Sequence, residues 1–125
     1  MSKNLVDSCG WLEYFADGGN ADFFADAIED AEHLIVPSLS IAEVFKVLLR
    51  EKDERIASSA ISAMRQGTII DLDMKIAIEA AKWGISLKLP LADSIIFATA
   101  KLQNALLWTQ DKHFENISEV KYTPK

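Results

Sequence analysis

The stretch Leu89-Pro90-Leu91-Ala92-Asp93-Ser94-Ile95-Ile96-Phe97-Ala98-Thr99-Ala100 decides how the rest of the chain is read. It is apolar nearly all the way round a helix, the pattern of a helix buried inside a domain. Pro90 suits the first turn, where its missing N–H would lack a partner in any case. One carboxylate, Asp93, is set into this pattern, on the same side as Phe97, Ala100 and Asn104. A charge carried into low dielectric must be paired, hydrogen-bonded or bound to a cation. Alone, Asp93 reads as an acid in a first helical turn, favoured there by free N–H groups and the helix dipole. Its meaning depends on whether other carboxylates join it.

Downstream, Ala105-Leu106-Leu107-Trp108-Thr109 predicts a strand leading into Gln110-Asp111-Lys112-His113-Phe114, and a short strand over 119–122 closes the chain. Upstream, 74–87 predicts a helix with Ile76, Ala77, Ala80, Ala81 and Trp83 on its apolar side. Before it come a strand over 68–72 and an amphipathic helix over 56–66 stopped by Gly67. The charged run 50–55 reads as a solvated helix junction. The helix ahead of it starts at Ser38 or Ser40, and Ser40 with Glu43 fits an S-x-x-E capping box. A strand over 33–37 and a helix over 22–31, burying Phe23, Phe24, Ala27 and Ile28, precede that. At the start, 4–7 is a short strand, and Ser8 looks like the N-cap of a helix carrying Trp11, Leu12, Tyr14 and Phe15. Strands alternating with helices predict an α/β domain with a mainly parallel central sheet and helices on both faces. No repeat or linker divides residues 1–125, which read as a single domain.

Composition sets the bounds. With 125 residues, half of them hydrophobic, the chain can bury a proper core. No run approaches the ~20 apolar residues of a membrane span, and the N-terminus carries no signal-peptide pattern. The single cysteine, Cys9, cannot form an internal disulfide, so a reducing cytoplasm is expected. One cysteine and two histidines, His33 and His113, argue against a Cys/His zinc site. Oxygen ligands and Mg²⁺ or Mn²⁺ are the more natural expectation. The net charge of −6 argues against gripping nucleic acid over a wide basic surface. A bound dication would still reverse the field locally where a phosphate sits.

In open α/β sheets, ligands bind beyond the carboxyl ends of the strands. Asp7 follows the first strand and Asp111 the fourth, while Asp93 and Glu43 lie near the starts of helices on that same side. Four carboxylates so placed point to one rim. Uncompensated, they would raise one another's pKa values. One or two hard dications resolve that, and such a site suits phosphodiester hydrolysis by activated water. Each residue also has a plainer reading: Asp7 and Asp111 as turn residues, and Glu43 as a capping or ion-pairing residue beside Lys46 and Arg50. Ser8 and Thr109 are ordinary cap and strand-end residues that could also hold a metal-bound water. His113 reads as a surface or turn residue rather than a ligand, His33 as structural, and Cys9 as a small core residue. Lys46 and Arg50, and less so Lys112, are the cations placed to meet a phosphate.

Val6-Asp7-Ser8, Ser40-Ile41-Ala42-Glu43-Val44, the stretch from Leu91 to Ala100, and Leu106-Leu107-Trp108-Thr109-Gln110-Asp111-Lys112-His113-Phe114 resemble the four acidic motifs of PIN-domain nucleases. They occur in the same order, from about residue 4 to the last strand, and size and layout are similar to the VapC-type toxin ribonucleases. The resemblance implies a three-layer α/β/α sandwich, Mg²⁺- or Mn²⁺-dependent endoribonuclease activity, homodimerisation and inhibition by a cognate antitoxin. It also implies that Asp7, Glu43, Asp93 and Asp111 are the metal-binding acids and that Thr109 is the hydroxyl residue of a T-x-D pattern. Cys9-Gly10 and Trp108 depart from the usual residues without touching the acids. Trp11, Phe23 and Phe24 offer an expected groove for an amphipathic antitoxin segment.

Other readings fare worse. A haloacid-dehalogenase-type phosphatase needs an acid two residues after Asp7, where Cys9 stands. A receiver domain needs paired acids after the first strand and a lysine after a late one. The non-enzymatic alternative is a catalytically silent, PIN-like scaffold, which gives no reason to collect unpaired carboxylates on one rim.

Overall fold

The computed structural model describes residues 2–125. Strands β1 (Lys3–Val6), β2 (Leu34–Pro37), β3 (Thr68–Ile70), β4 (Ala105–Thr109) and β5 (Val120–Tyr122) form one sheet in the order β3-β2-β1-β4-β5. Every neighbouring pair is parallel. The helices are α1 (Ser8–Phe15), α2 (Ala21–Ile28), α3 (Ser38–Glu51), α4 (Glu54–Met64), α5 (Met74–Leu87) and α6 (Leu91–Leu102).

Strand side chains alternate between faces, and the core divides accordingly. Val6, Leu34, Val36 and Trp108 pack against Trp11, Phe24, Val44 and Met64 of α1 to α4. Their strand neighbours Leu5, Ile35 and Leu107 pack against Ile96, Phe97 and Ala100 of α6, with Trp83 and Leu87 of α5 partly buried behind them. The result is the expected three-layer α/β/α sandwich. β1 lies between β2 and β4, so the direction of winding reverses at its carboxyl end. That crevice is where a parallel sheet of this kind receives a ligand.

The stretch over 89–100 forms a buried helix as its pattern requires: Ile96, Phe97, Ala98, Thr99 and Ala100 are all buried, although Leu91 is 73% exposed. Pro90 stands at the N-cap rather than inside the first turn. Lys88, in the left-handed region at φ 57°, ends α5 and reverses the chain into α6. Gly10 is needed for a close approach. A Cβ there would lie 2.6 Å from the Phe24 ring and 2.7 Å from Val6 Cγ1, so glycine lets the first turn of α1 sit down on the sheet.

Several local expectations need correction. The helix expected over 22–31 ends at Ile28, and residues Ala31–His33 form a separate 3-10 turn, so β2 starts at Leu34. Asp7, not Ser8, caps α1: its Oδ1 accepts the Ser8 N–H at 2.8 Å. The Ser40–Glu43 capping box does not form. α3 begins at Ser38 behind Pro37, Ser40 Oγ is buried without a hydrogen-bond partner, and Glu43 faces the rim. The charged junction behaves as expected, with Asp53 capping α4 through the Ile56 N–H at 2.8 Å. On α5, Ile76 and Ala80 are buried but Ala77 and Ala81 are exposed. They join Met74, Ile78 and Ile85 in a stripe facing outward. Among the described residues, no helix is long and apolar enough to cross a membrane.

Candidate active site

β1 delivers Asp7 to the crevice. Its N–H donates to Trp108 O at 3.0 Å, which carries the β1–β4 pairing one residue past the strand. Its carboxylate is only 5% exposed and makes two bonds: Oδ1 accepts the Ser8 N–H, and Oδ2 accepts the Thr109 hydroxyl at 2.8 Å. Thr109 Oγ1 in turn accepts the Asp111 N–H at 2.9 Å. A single hydroxyl thus ties the end of β1 to the end of β4. On the other side, Ser8 Oγ donates to Glu43 Oε1 at 2.6 Å and brings α3 into the same network.

The fourth acid comes from α6. Asp93 lies in its first turn but makes no capping bond; its Oδ2 is 2.7 Å from His113 Nδ1. Asp111 opens the 3-10 turn Lys112–Phe114 and accepts the His113 N–H at 2.9 Å. The same ring nitrogen stands 3.1 Å from Asp111 Oδ1. Phe114 is fully buried against Phe97, one turn along α6 from Asp93, with ring centroids 6.2 Å apart. This apolar contact locks the turn, and with it Asp111 and His113, to the helix that carries Asp93.

The electrostatics are those of crowded acids. Burial lifts the Asp7 pKa to about 6; the Thr109 bond opposes the rise, and the charges of Asp93 and Asp111 reinforce it. Asp93 is raised by burial and by Asp111, moderated by His113, and raised again by Glu43. His113 is raised by the Asp111 charge and the bond to Asp93. Asp7 thus feels the charges of Asp93 and Asp111, and Asp93 those of Asp111 and Glu43. Burial and the Asp7 charge push the Cys9 thiol up to about 12. Half-buried at the wall with Sγ 3.6 Å from Asp7 Oδ2, it stays protonated and is no nucleophile.

Compared with known families, residues 5–120 match the PIN domain. The chain belongs to the PIN-domain family. None of the curated proteins matches it by sequence. Solved structures match it in fold. This PIN domain superposes on a chain of a toxin-antitoxin complex from Klebsiella pneumoniae with TM-score 0.79 and 25% identity, covering 94% of this chain and 95% of that one. A chain of the DNA-bound VapBC of Salmonella typhimurium gives TM-score 0.76 at 13% identity, covering 99% and 98%. VapC20 of Mycobacterium tuberculosis, a Sarcin-Ricin loop cleaving toxin, gives 0.77 at 13% identity, covering 95% and 98%. At those identities the last two show a shared fold.

The donor set of this PIN domain fits a hard dication. Asp7, Glu43, Asp93 and Asp111 supply oxygen, and the crowding that raises Asp7 and Asp93 is what a dication would relieve. Asp93, Asp111 and His113 each offer a ligand atom, all within 4.8 Å of one another. Asp7 and Glu43 join them through the Thr109 and Ser8 hydroxyls, so these two residues orient acids.

The supporting cast differs from the sequence reading. Lys46 is exposed one turn beyond Glu43, and the Arg50 guanidinium pairs with Glu51 at 3.3 Å. Beside Asp111 a cleft of about 630 Å³ is lined by Lys112, His113, Tyr122 and Lys125 among others. Tyr122 and Lys125 carry no motif that could have singled them out. His113 had one: the Asp-x-His spacing in a tight turn returns the ring over the carboxylate. His33 is structural, 3.0 Å from Asp30. Trp11 and Phe24 are wholly buried and cannot form the expected groove, and Phe23 packs on Trp108. The apolar groove lies next to them instead, about 340 Å³, lined by Leu12, Phe15, Leu48 and Ile56 with Lys52 and Arg55 beside them.

Proposed function

We propose that residues 1–125 form one domain acting as a Mg²⁺- or Mn²⁺-dependent endoribonuclease, the toxin of a cytoplasmic toxin–antitoxin pair. The observation that carries this reading is the Asp7–Thr109–Asp111 linkage, with Asp93 and Glu43 drawn to the same rim. Asp7, Glu43, Asp93 and Asp111 would hold the cation. Bound there, it would acidify a water and shield charge on the phosphate oxygens during hydrolysis. Ser8 and Thr109 hold the carboxylates in place so that little reorganisation remains when substrate arrives. Lys112 and Lys125 would neutralise phosphates in the cleft, and the Tyr122 ring offers a face for a base to stack on. Asp111 and Glu115 line the same cleft, so the two lysines act locally, within an overall charge of −6.

The likeness to chains of toxin–antitoxin complexes supports a protein partner for this chain. The groove beside α1 suits an amphipathic segment whose acidic residues meet Lys52 and Arg55. The outward stripe on α5 is assigned to a second copy of the chain. It is flanked by Lys75, Glu79 and Lys82, so pairing about a two-fold axis can set opposite charges together.

The test is calorimetric Mn²⁺ binding beside RNA cleavage, for the wild type and Asp93→Asn. Metal-dependent cleavage lost in the variant is expected. Absence of Mn²⁺ binding in the wild type would instead favour a silent scaffold.

A further inference from the structure

We infer that His113 is itself a ligand of the cation, giving the site one nitrogen donor and biasing it away from Mg²⁺ and towards Mn²⁺. This rests on the metal-dependent reading above. His113 Nδ1 lies 2.7 Å from Asp93 Oδ2 and 3.1 Å from Asp111 Oδ1. Adjacent donors around an octahedral ion with bonds of about 2.1 Å stand about 3 Å apart, the bond length times √2. The two separations bracket that edge. The nitrogen therefore sits where a coordinating atom shared with these two carboxylates would sit.

The position is built rather than incidental. Asp111 fixes the His113 backbone through its N–H, and buried Phe114 pins the next residue against Phe97. The three donors come from two elements held together by that aromatic contact, so the ring returns over the acids whenever the turn is formed. The side chain is 56% exposed, so the imidazole can carry its proton on Nε2 while Nδ1 offers its lone pair. A purely carboxylate and water site suits Mg²⁺, which takes oxygen ligands and sheds water reluctantly. An imidazole nitrogen shifts preference towards first-row transition dications.

The test uses the full chain with Mn²⁺ as the probe. Pulsed electron paramagnetic resonance reads nitrogen coupling to bound Mn²⁺, and calorimetry compares Mn²⁺ with Mg²⁺, in the wild type and His113→Gln. Nitrogen coupling is expected in the wild type and lost in the variant, while Mn²⁺ still binds. Mn²⁺ affinity should fall about tenfold or more, the scale of disturbed coordination, and Mg²⁺ affinity should fall less. Bound Mn²⁺ without nitrogen coupling, or coupling that persists in His113→Gln, would overturn the inference and leave the acidic site intact. A wild type that binds no Mn²⁺ would overturn both.

Discussion

The Thr109 hydroxyl donates to Asp7 Oδ2 at 2.8 Å, joining two residues 102 positions apart, and accepts the Asp111 N–H with the same oxygen. It is fully buried and Asp7 is only 5% exposed, so the Asp7 carboxylate cannot turn to water if the hydroxyl is lost. Thr109→Val keeps the shape and removes both bonds. Leaving buried polar groups unsatisfied should cost about 1–3 kcal/mol, read by denaturant unfolding. Cation affinity should fall as well, because Asp7 is no longer held. Thr109→Ser, which keeps the hydroxyl, should recover most of both.

Asp93→Asn separates a functional acid from a helix cap. Asp93 makes no capping bond, and burial and its neighbours disfavour its charge. Removing that charge should leave the melting temperature unchanged or raised while RNA cleavage is abolished. A variant that unfolds would restore the capping role and remove Asp93 from the site.

The same crowding sets a pH dependence. Asp7 is raised from 3.8 to about 6, so between these values the folded chain holds a proton that the unfolded chain has released. Stability without divalent cation should therefore fall as pH rises through this window, by up to about 3 kcal/mol for Asp7. Asp93, also raised, acts in the same sense. So does His113, whose contribution is present at low pH and lost as pH rises through its raised pKa. Melts without divalent cation at about pH 5 and about pH 8 should show the loss, and Asp7→Asn should flatten it. Added Mg²⁺ should stabilise more at the higher pH.

The groove beside α1 makes a prediction about partners. Lys52→Glu with Arg55→Glu reverses the charge beside the apolar lining without touching the core. Stability should change by less than about 0.5 kcal/mol, while co-purification with an acidic amphipathic antitoxin is lost. Retained co-purification would place the partner elsewhere.

The sheet, its parallel sense and the buried α6 were legible in the sequence because hydrophobic periodicity reports burial directly. That Asp7, Glu43, Asp93 and Asp111 would face one rim follows from strand ends and helix starts sharing that side of such a sheet. The ligand atoms found within 4.8 Å of one another among the described residues are those of Asp93, Asp111 and His113. What failed was local. Ser8 and Asp7 both suit a cap, and only the position of Glu43 decides that the Ser8 hydroxyl is needed elsewhere. Trp11 and Phe24 looked available as groove residues because periodicity gives a face, not what covers it. The Asp111–His113 turn depends on Phe114 finding Phe97, a contact between residues far apart in the chain.

The same limit applies to α5, where Ala77 and Ala81 read as buried and proved to be exposed beside Met74, Ile78 and Ile85. An apolar stripe on one helix, with the other side already packed in the core, is what a second copy would cover. Ile85 is 83% exposed, so Ile85→Glu disturbs nothing within the folded chain and should change its stability by less than about 0.5 kcal/mol. At a two-fold interface the new charge meets itself or the apolar stripe twice over. Sedimentation velocity should show a dimer for the wild type and half that mass for the variant, with metal binding retained. A wild type that sediments as a monomer at all accessible concentrations would leave the stripe to another occupant.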